Sequence, residues 1–264
     1  MLSKAKIKEI QALGIKKFRD EQGLFVAEGD KLVSFLLQSF DCECLIASAQ
    51  WMMSTQGDFD TKGCTSSLCT IVAKECIVAE EDEIQKASFL KTPQSVLAVF
   101  RKPHCKVEEA NPASQLVLAL DCIQDPGNLG TIIRVADWFG IGHIVCSPDT
   151  ADAFSPKTVQ ATMGALANVK VYYTNLEEYI LQNSTSPVYG TFLTGDNIYA
   201  SNLTQQGIIV MGNEGNGIRP EIESLINKRL HIPSYPPDRN TTGSLNVATA
   251  TAIVCAAFRS KRGK

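Results

Sequence analysis

No two cysteines are spaced Cys-x-x-Cys, and the only three histidines, His104, His143 and His231, are scattered along 264 residues. A zinc module needs clustered ligands, so no metal is assigned. Nine cysteines cannot all pair, which argues for reduced thiols and a cytoplasmic location. No run approaches the ~18 apolar residues a membrane helix needs, and the richest stretch, Val247–Phe258, is broken by Thr249 and Thr251. Met1–Ile10 alternates lysine with apolar residues and has no signal-peptide core. Neither a phosphate loop ending in Gly-Lys-Ser/Thr nor the G-x-G-x-x-G dinucleotide fingerprint occurs. The formal net charge of −3 supplies no global field that would collect nucleic acid. A local patch is a separate matter: seven Lys/Arg against five acids fall between Met1 and Lys31.

What is present is a core-forming composition, 44% hydrophobic and 20% charged. Residues 100–115, with two prolines and mixed charges, read as a linker between two α/β parts. The expected division is 1–105, a linker over 106–115, and 116–264. The first part reads as a basic helix over Ser3–Leu13, a strand at Leu24–Ala27, a helix over Asp30–Phe40 and a strand at Cys44–Ala47. A polar stretch (Ser54–Thr65) and short strands at Thr70–Val72 and Ser95–Phe100 complete it.

The second part alternates strands (Leu116–Leu120, His143–Cys146, Val169–Tyr173, Val188–Thr194, Ile208–Met211, Leu230–Ile232) with helices (Asn128–Phe139, Pro156–Ala165, Leu176–Gln182, Pro220–Ile226, Ser244–Arg259). Apolar strands flanked by helices imply a parallel sheet covered on both faces, with ligands beyond the strands' carboxyl ends.

Three segments at those ends hold the unusual residues. In Asp125-Pro126-Gly127-Asn128-Leu129-Gly130-Thr131, a strand turns into a helix whose N–H groups suit an anion, with Arg134 one turn in. The same residues also suit a plain turn and cap. In Gly212-Asn213-Glu214-Gly215-Asn216-Gly217, glycines admit a flat ligand or merely make a turn, and burying Glu214 would be costly without a partner. In Ser244-Leu245-Asn246-Val247-Ala248, Ser244 can cap the last helix, while Asn246 is a poor helix former in its first turn. That helix is rich in small residues, which suits a dimer interface or a tightly threaded core.

Together the three segments resemble the three signature motifs of the SpoU/TrmH family of the SPOUT superfamily, RNA ribose 2′-O-methyltransferases that use S-adenosylmethionine. Lys16-Lys17-Phe18-Arg19, Phe25-Val26-Ala27-Glu28-Gly29 and Val96-Leu97-Ala98-Val99-Phe100 stand where the family's N-terminal substrate-binding module has its characteristic residues. The resemblance implies an α/β fold: a C-terminal parallel-sheet domain tied in a trefoil knot, and a smaller ribosomal-protein-like RNA-binding domain.

By the same resemblance, Arg134, Asn128, Glu214, Ser244 and Asn246 match the polar active-site positions. Thr194, Gly195, Gly212, Ile232 and Leu245 would contact S-adenosylmethionine, and Lys16, Lys17 and Arg19 would contact RNA. The implied enzyme is a homodimer acting on large-subunit ribosomal RNA, with transfer RNA as the alternative. Arg134 would clamp a phosphate or accept the hydroxyl proton. One departure stands out: the family's short link before Ser-Leu-Asn is replaced by the longer Ser-Tyr-Pro-Pro-Asp-Arg-Asn-Thr-Thr-Gly. Two rival classes make different demands. A non-catalytic RNA-binding protein would have lost part of the Arg134, Glu214 and Ser244–Asn246 set, and an oxidoreductase would carry the dinucleotide fingerprint.

Overall fold

The structure is a computed structural model that describes residues 2–54, 73–92, 94–236 and 243–260. The chain forms two compact units, one of Met1–His104 with Asp152–Ala167 and one of Cys105–Ala151 with Asn168–Lys264. No described helix is long and apolar enough to cross a membrane.

In the first unit, helix α1 (Lys4–Ala12) starts at Ser3, whose hydroxyl accepts the Lys6 N–H. Helix α2 (Lys16–Gln22) stops at Gly23, which adopts φ 65°, a conformation glycine enters without strain. Strand β1 (Leu24–Glu28) leads into α3 (Asp30–Leu36). Then come β2 (Cys42–Ala47), α4 (Ala49–Ser54), β3 (Ala73–Val78), α5 (Glu81–Ala87) and β4 (Val96–Arg101). The sheet order is β1-β4-β2-β3, with only β2–β3 parallel. Phe25 stacks on Phe100 with ring centroids 5.5 Å apart, so the first and last apolar runs of this unit build one core. The buried Glu28 carboxylate accepts the Ser88 hydroxyl and the Phe89 N–H, and burial raises its pKa. The strand expected at Thr70–Val72 and nearly all of Ser54–Thr65 lie outside the described residues.

Two expectations for this unit need correction. Arg19 is not an exposed RNA contact. It is 2% exposed; its Nε and Nη2 donate to Asp152 at 3.0 and 2.7 Å, and Nη1 donates to the Leu13 carbonyl. Removing one partner of a buried pair strands the other charge, so Arg19→Ala should lower stability by about 3–5 kcal/mol. Chemical denaturation checks this, and an unchanged midpoint would contradict it. The second concerns a helix expected in the other part of the chain. The helix expected over Pro156–Ala165 is α7 (Pro156–Thr162), the seventh in chain order, and it belongs to the first unit, where Phe154 meets Phe25 at 5.0 Å. The compact unit that begins at Cys105 is thus interrupted in sequence between Ala151 and Asn168.

The second unit is a seven-stranded parallel sheet. Its strands are β5 (Leu116–Leu120), β6 (His143–Cys146), β7 (Lys170–Tyr173), β8 (Val188–Phe192), β9 (Asp196–Asn197), β10 (Gly207–Met211) and β11 (Lys228–His231). They lie in the order β7-β6-β5-β10-β8-β11-β9. Every residue of β5 and β10 is buried, as continuous apolar strands covered on both faces require. The chain runs outward from β5 through β6 and β7, returns at β8, and then inserts β10 between β5 and β8. The β5/β10 boundary is thus a switch point, where loops leave in opposite directions and open a crevice.

Helices α6 (Pro126–Trp138), α8 (Leu176–Gln182), α9 (Pro220–Glu223) and α10 (Val247–Arg259) complete the unit. Val247, Thr251, Val254, Cys255 and Phe258 form the buried face of α10, spaced as one helical stripe. Arg259 ties α10 to the end of α6 by donating to the Phe139 and Gly140 carbonyls at 2.8 and 3.0 Å.

Candidate active site

The site is built where β5 and β10 end. After β5, Asp125 caps α6, its carboxylate accepting the Asn128 N–H at 2.8 Å, and Pro126 takes the first helical position, where its missing N–H costs nothing. Of the two readings of this turn, the cap is present: the Asp125 carboxylate sits at the positive end of the helix dipole. Arg134 lies further along α6, exposed, and among the described residues no hydrogen bond or ion pair engages its guanidinium.

After β10, the chain closes a tight loop in which Asn213 and Gly217 exchange backbone hydrogen bonds, both 2.9 Å. Glu214 projects from it and is exposed, so no burial penalty arises. Before α10, the cap is Asn246 rather than Ser244: its Oδ1 accepts the Ala248 and Thr249 N–H groups at 3.0 and 3.3 Å. Ser244 stands two residues before that cap and is exposed.

These three loops meet through side-chain amides. Asn128 Nδ2 donates to Glu214 Oε1 at 2.6 Å, and Asn246 Nδ2 donates to Asn128 Oδ1 at 3.0 Å. Glu214, Asn128 and Asn246, separated by 86 and 118 residues along the chain, form one hydrogen-bonded row. Each amide uses both of its ends, so neither can rotate without losing a bond. The poor helix former Asn246 is explained: one side chain caps α10 and reaches Asn128.

Four of the five expected cofactor positions follow neighbouring strands, and the fifth precedes a helix. Thr194 and Gly195 follow β8, Gly212 follows β10, Ile232 follows β11, and Leu245 precedes α10. Since β10, β8 and β11 are adjacent in the sheet, their loops lie side by side. Gly195 has φ 150°, and a Cβ there would meet the Arg229 carbonyl oxygen at 2.9 Å. A Cβ on Gly212 would lie 2.4 Å from the Gly217 carbonyl carbon. These backbones approach as only glycine allows, and Leu245 keeps half its surface (50%) exposed. Such backbones and an open apolar side chain suit a planar heterocycle. Residues 237–242 of the long link lie outside the described residues. His143, at the opposite ends of the strands, pairs its Nδ1 with the Tyr172 hydroxyl at 2.9 Å and takes no part in the site.

The pattern of the SpoU rRNA Methylase family matches residues 115–256, and that of an MRM3-like substrate binding domain matches residues 4–98. The 23S rRNA (guanosine(2553)-2′-O)-methyltransferase RlmP of Bacillus subtilis is 32% identical over 254 residues, 94% of each chain. Among solved structures, a TrmH-family protein from Porphyromonas gingivalis superposes with a TM-score of 0.82 at 38% identity, covering 98% of both chains. An AdoMet-bound rRNA methyltransferase from Sinorhizobium meliloti superposes with a TM-score of 0.80 at 29% identity, covering 98% of this chain and 95% of that one. Three separate segments joined at one switch point, and a match that spans the catalytic half of the sequence, lead to the same conclusion: the chain belongs to the SpoU rRNA methylase family.

Proposed function

We propose that this chain is a cytoplasmic, homodimeric enzyme that methylates a ribose 2′-hydroxyl in large-subunit ribosomal RNA, using S-adenosylmethionine. The observation that carries the reading is the Glu214–Asn128–Asn246 row, which binds all three motif segments into one polar site at the carboxyl ends of β5 and β10. The relatives support the substrate class, since the Bacillus subtilis enzyme is named for 23S rRNA and a guanosine 2′-oxygen. Insertion of β10 between the earlier strands β5 and β8 supports the trefoil-knotted topology, a rare exception to unthreaded chains.

When bound, S-adenosylmethionine supplies a methyl group already activated by the sulfonium charge. Thr194, Gly195, Gly212, Ile232 and Leu245 would hold it against the strand ends. The remaining task is alignment of a weak nucleophile and care of its proton. Arg134, exposed and with its guanidinium unengaged among the described residues, holds an RNA phosphate beside the reacting ribose. A guanidinium keeps its own proton, so phosphate clamping is its primary role. The Asn128 amide, itself held by Asn246, fixes Glu214 at the rim of the same crevice, and Ser244 completes the polar set.

In the first unit, Lys16 and Lys17 are exposed on α2 beside Phe18 (37% exposed), a basic and aromatic surface suited to RNA. Replacing both lysines with glutamate should weaken RNA binding and lower the slope of log affinity against log salt by about 1 per lost phosphate contact. Cofactor affinity should be unaffected. Filter binding over a salt series reads this, and an unchanged slope would remove the two lysines from the RNA surface.

A further inference from the structure

We propose that Asn213 and the Asp121–Arg219 pair are positioning residues, which anchor both ends of the Glu214 loop to the end of β5 and so set the Glu214–Asn128 hydrogen bond. The functional consequence rests on the methyltransferase reading above. At the front of the loop, Asn213 Oδ1 accepts the N–H groups of Gly215 and Asn216 at 2.9 and 3.0 Å. Its Nδ2 donates to the Cys122 carbonyl at 2.8 Å. Cys122 holds φ 58°, a left-handed conformation that a non-glycine residue keeps only when its surroundings enforce it. Its own N–H is fixed by the Ser147 hydroxyl at 2.9 Å.

At the back of the loop, Arg219 meets Asp121, which is fully buried at 0% exposure. The Arg219 N–H and Nε donate to the two carboxylate oxygens at 2.8 and 2.7 Å, and Nη2 approaches Oδ1 at 2.5 Å. A buried ion pair is a weak source of stability compared with apolar packing. Its value here is geometric, because it accepts only one placement of the loop. The Glu214 loop and the turn that carries Asn128 thus share the same two reference residues, Asp121 and Cys122. Glu214 follows Asn213 directly, and Asn128 lies six residues beyond Cys122.

The test is Asn213→Asp, which keeps the acceptor for the loop N–H groups but turns an oxygen toward the Cys122 carbonyl. In full-length protein, the Asn128 side-chain amide signal, assigned by its loss in Asn128→Ala, should move toward a solvent-exposed position. Turnover with tritiated S-adenosylmethionine on ribosomal RNA from cells lacking the gene should fall about 10²-fold, with KM for RNA nearly unchanged. Because Asn213 acts through Glu214, adding Asn213→Asp to Glu214→Ala should change turnover by no more than about twofold. Arg219→Lys, which keeps the charge but loses the fork, should move the same signal. An unmoved Asn128 signal in folded protein, or full additivity with Glu214→Ala, would overturn the proposal. So would failure of both variants to fold, since the residues would then be determinants of the fold. If the signal moves but wild-type protein methylates no RNA, the enzymatic reading fails and the positioning role stands.

Discussion

Arg134→Ala is expected to lower methyl transfer by about 10² or more, the usual loss when a preorganised charge contact is removed, while S-adenosylmethionine affinity stays nearly unchanged. The separation follows from the site's layout. The guanidinium is exposed on α6 with no engagement among the described residues, whereas the proposed cofactor positions follow β8, β10 and β11 or precede α10. The Asp125 carboxylate caps the α6 N-terminus and takes up the Asn128 N–H. Arg134→Lys restores charge without the planar fork and should rescue poorly. If the active site is completed across a homodimer, co-assembled Arg134→Ala and Asn246→Ala subunits should recover part of the activity. Calorimetric cofactor binding beside tritiated methyl transfer separates the cases. Near-normal turnover would remove Arg134 from the mechanism, and lost cofactor binding would make its role structural.

The second large effect is expected at Gly212. A methyl group there would lie 2.4 Å from the Gly217 carbonyl carbon and 2.5 Å from the Ile218 nitrogen, both backbone atoms that cannot swing aside. The paired Asn213–Gly217 loop must open to admit it. Overpacking of this kind costs about 1–3 kcal/mol, so Gly212→Ala should weaken S-adenosylmethionine binding by about 10- to 100-fold. Gly217→Ala is the control. It has φ 70° but open space at its Cβ position, so it should show only the milder backbone penalty of about 1–2 kcal/mol. Equal, small effects of both substitutions would mean that the Gly212 approach is incidental to the cofactor.

The sequence shows most of the second unit because its strands are continuous apolar runs between polar loops. Leu116–Leu120, His143–Cys146 and Leu176–Gln182 are bounded in the structure as their patterns predict. Helices α2 and α5 escape such reading. Both are short and charged, and in α2 only Arg19 is buried, so no apolar period announces them. Strand β3 is an edge strand with only Ala73 buried, and its alternation is correspondingly faint.

In the site, Asn128, Glu214 and Asn246 are legible from the resemblance and from their place at strand ends. Their mutual hydrogen bonds are not, because contacts across 86 and 118 residues leave no local trace. The corrections share a cause. Arg19 looks like an RNA contact because it stands with Lys16 and Lys17 in a stretch that resembles the family's substrate-binding module, and Ser244 looks like a cap because it precedes a helix. In both cases a distant or neighbouring partner, Asp152 or Asn246, decides the outcome. Asn213 and Arg219 carry a faint signal: a polar residue between glycines and a cation at a helix start invite the question of what they hold.

The most direct measurement maps ribose 2′-O-methylation in ribosomal and transfer RNA from cells lacking the gene, complemented with wild-type protein or with Arg134→Ala. The account predicts that a 2′-O-methyl group is absent from large-subunit ribosomal RNA in the deletion strain, restored by wild type and not by Arg134→Ala. Unchanged methylation in the deletion strain, or a missing group confined to transfer RNA, would contradict it.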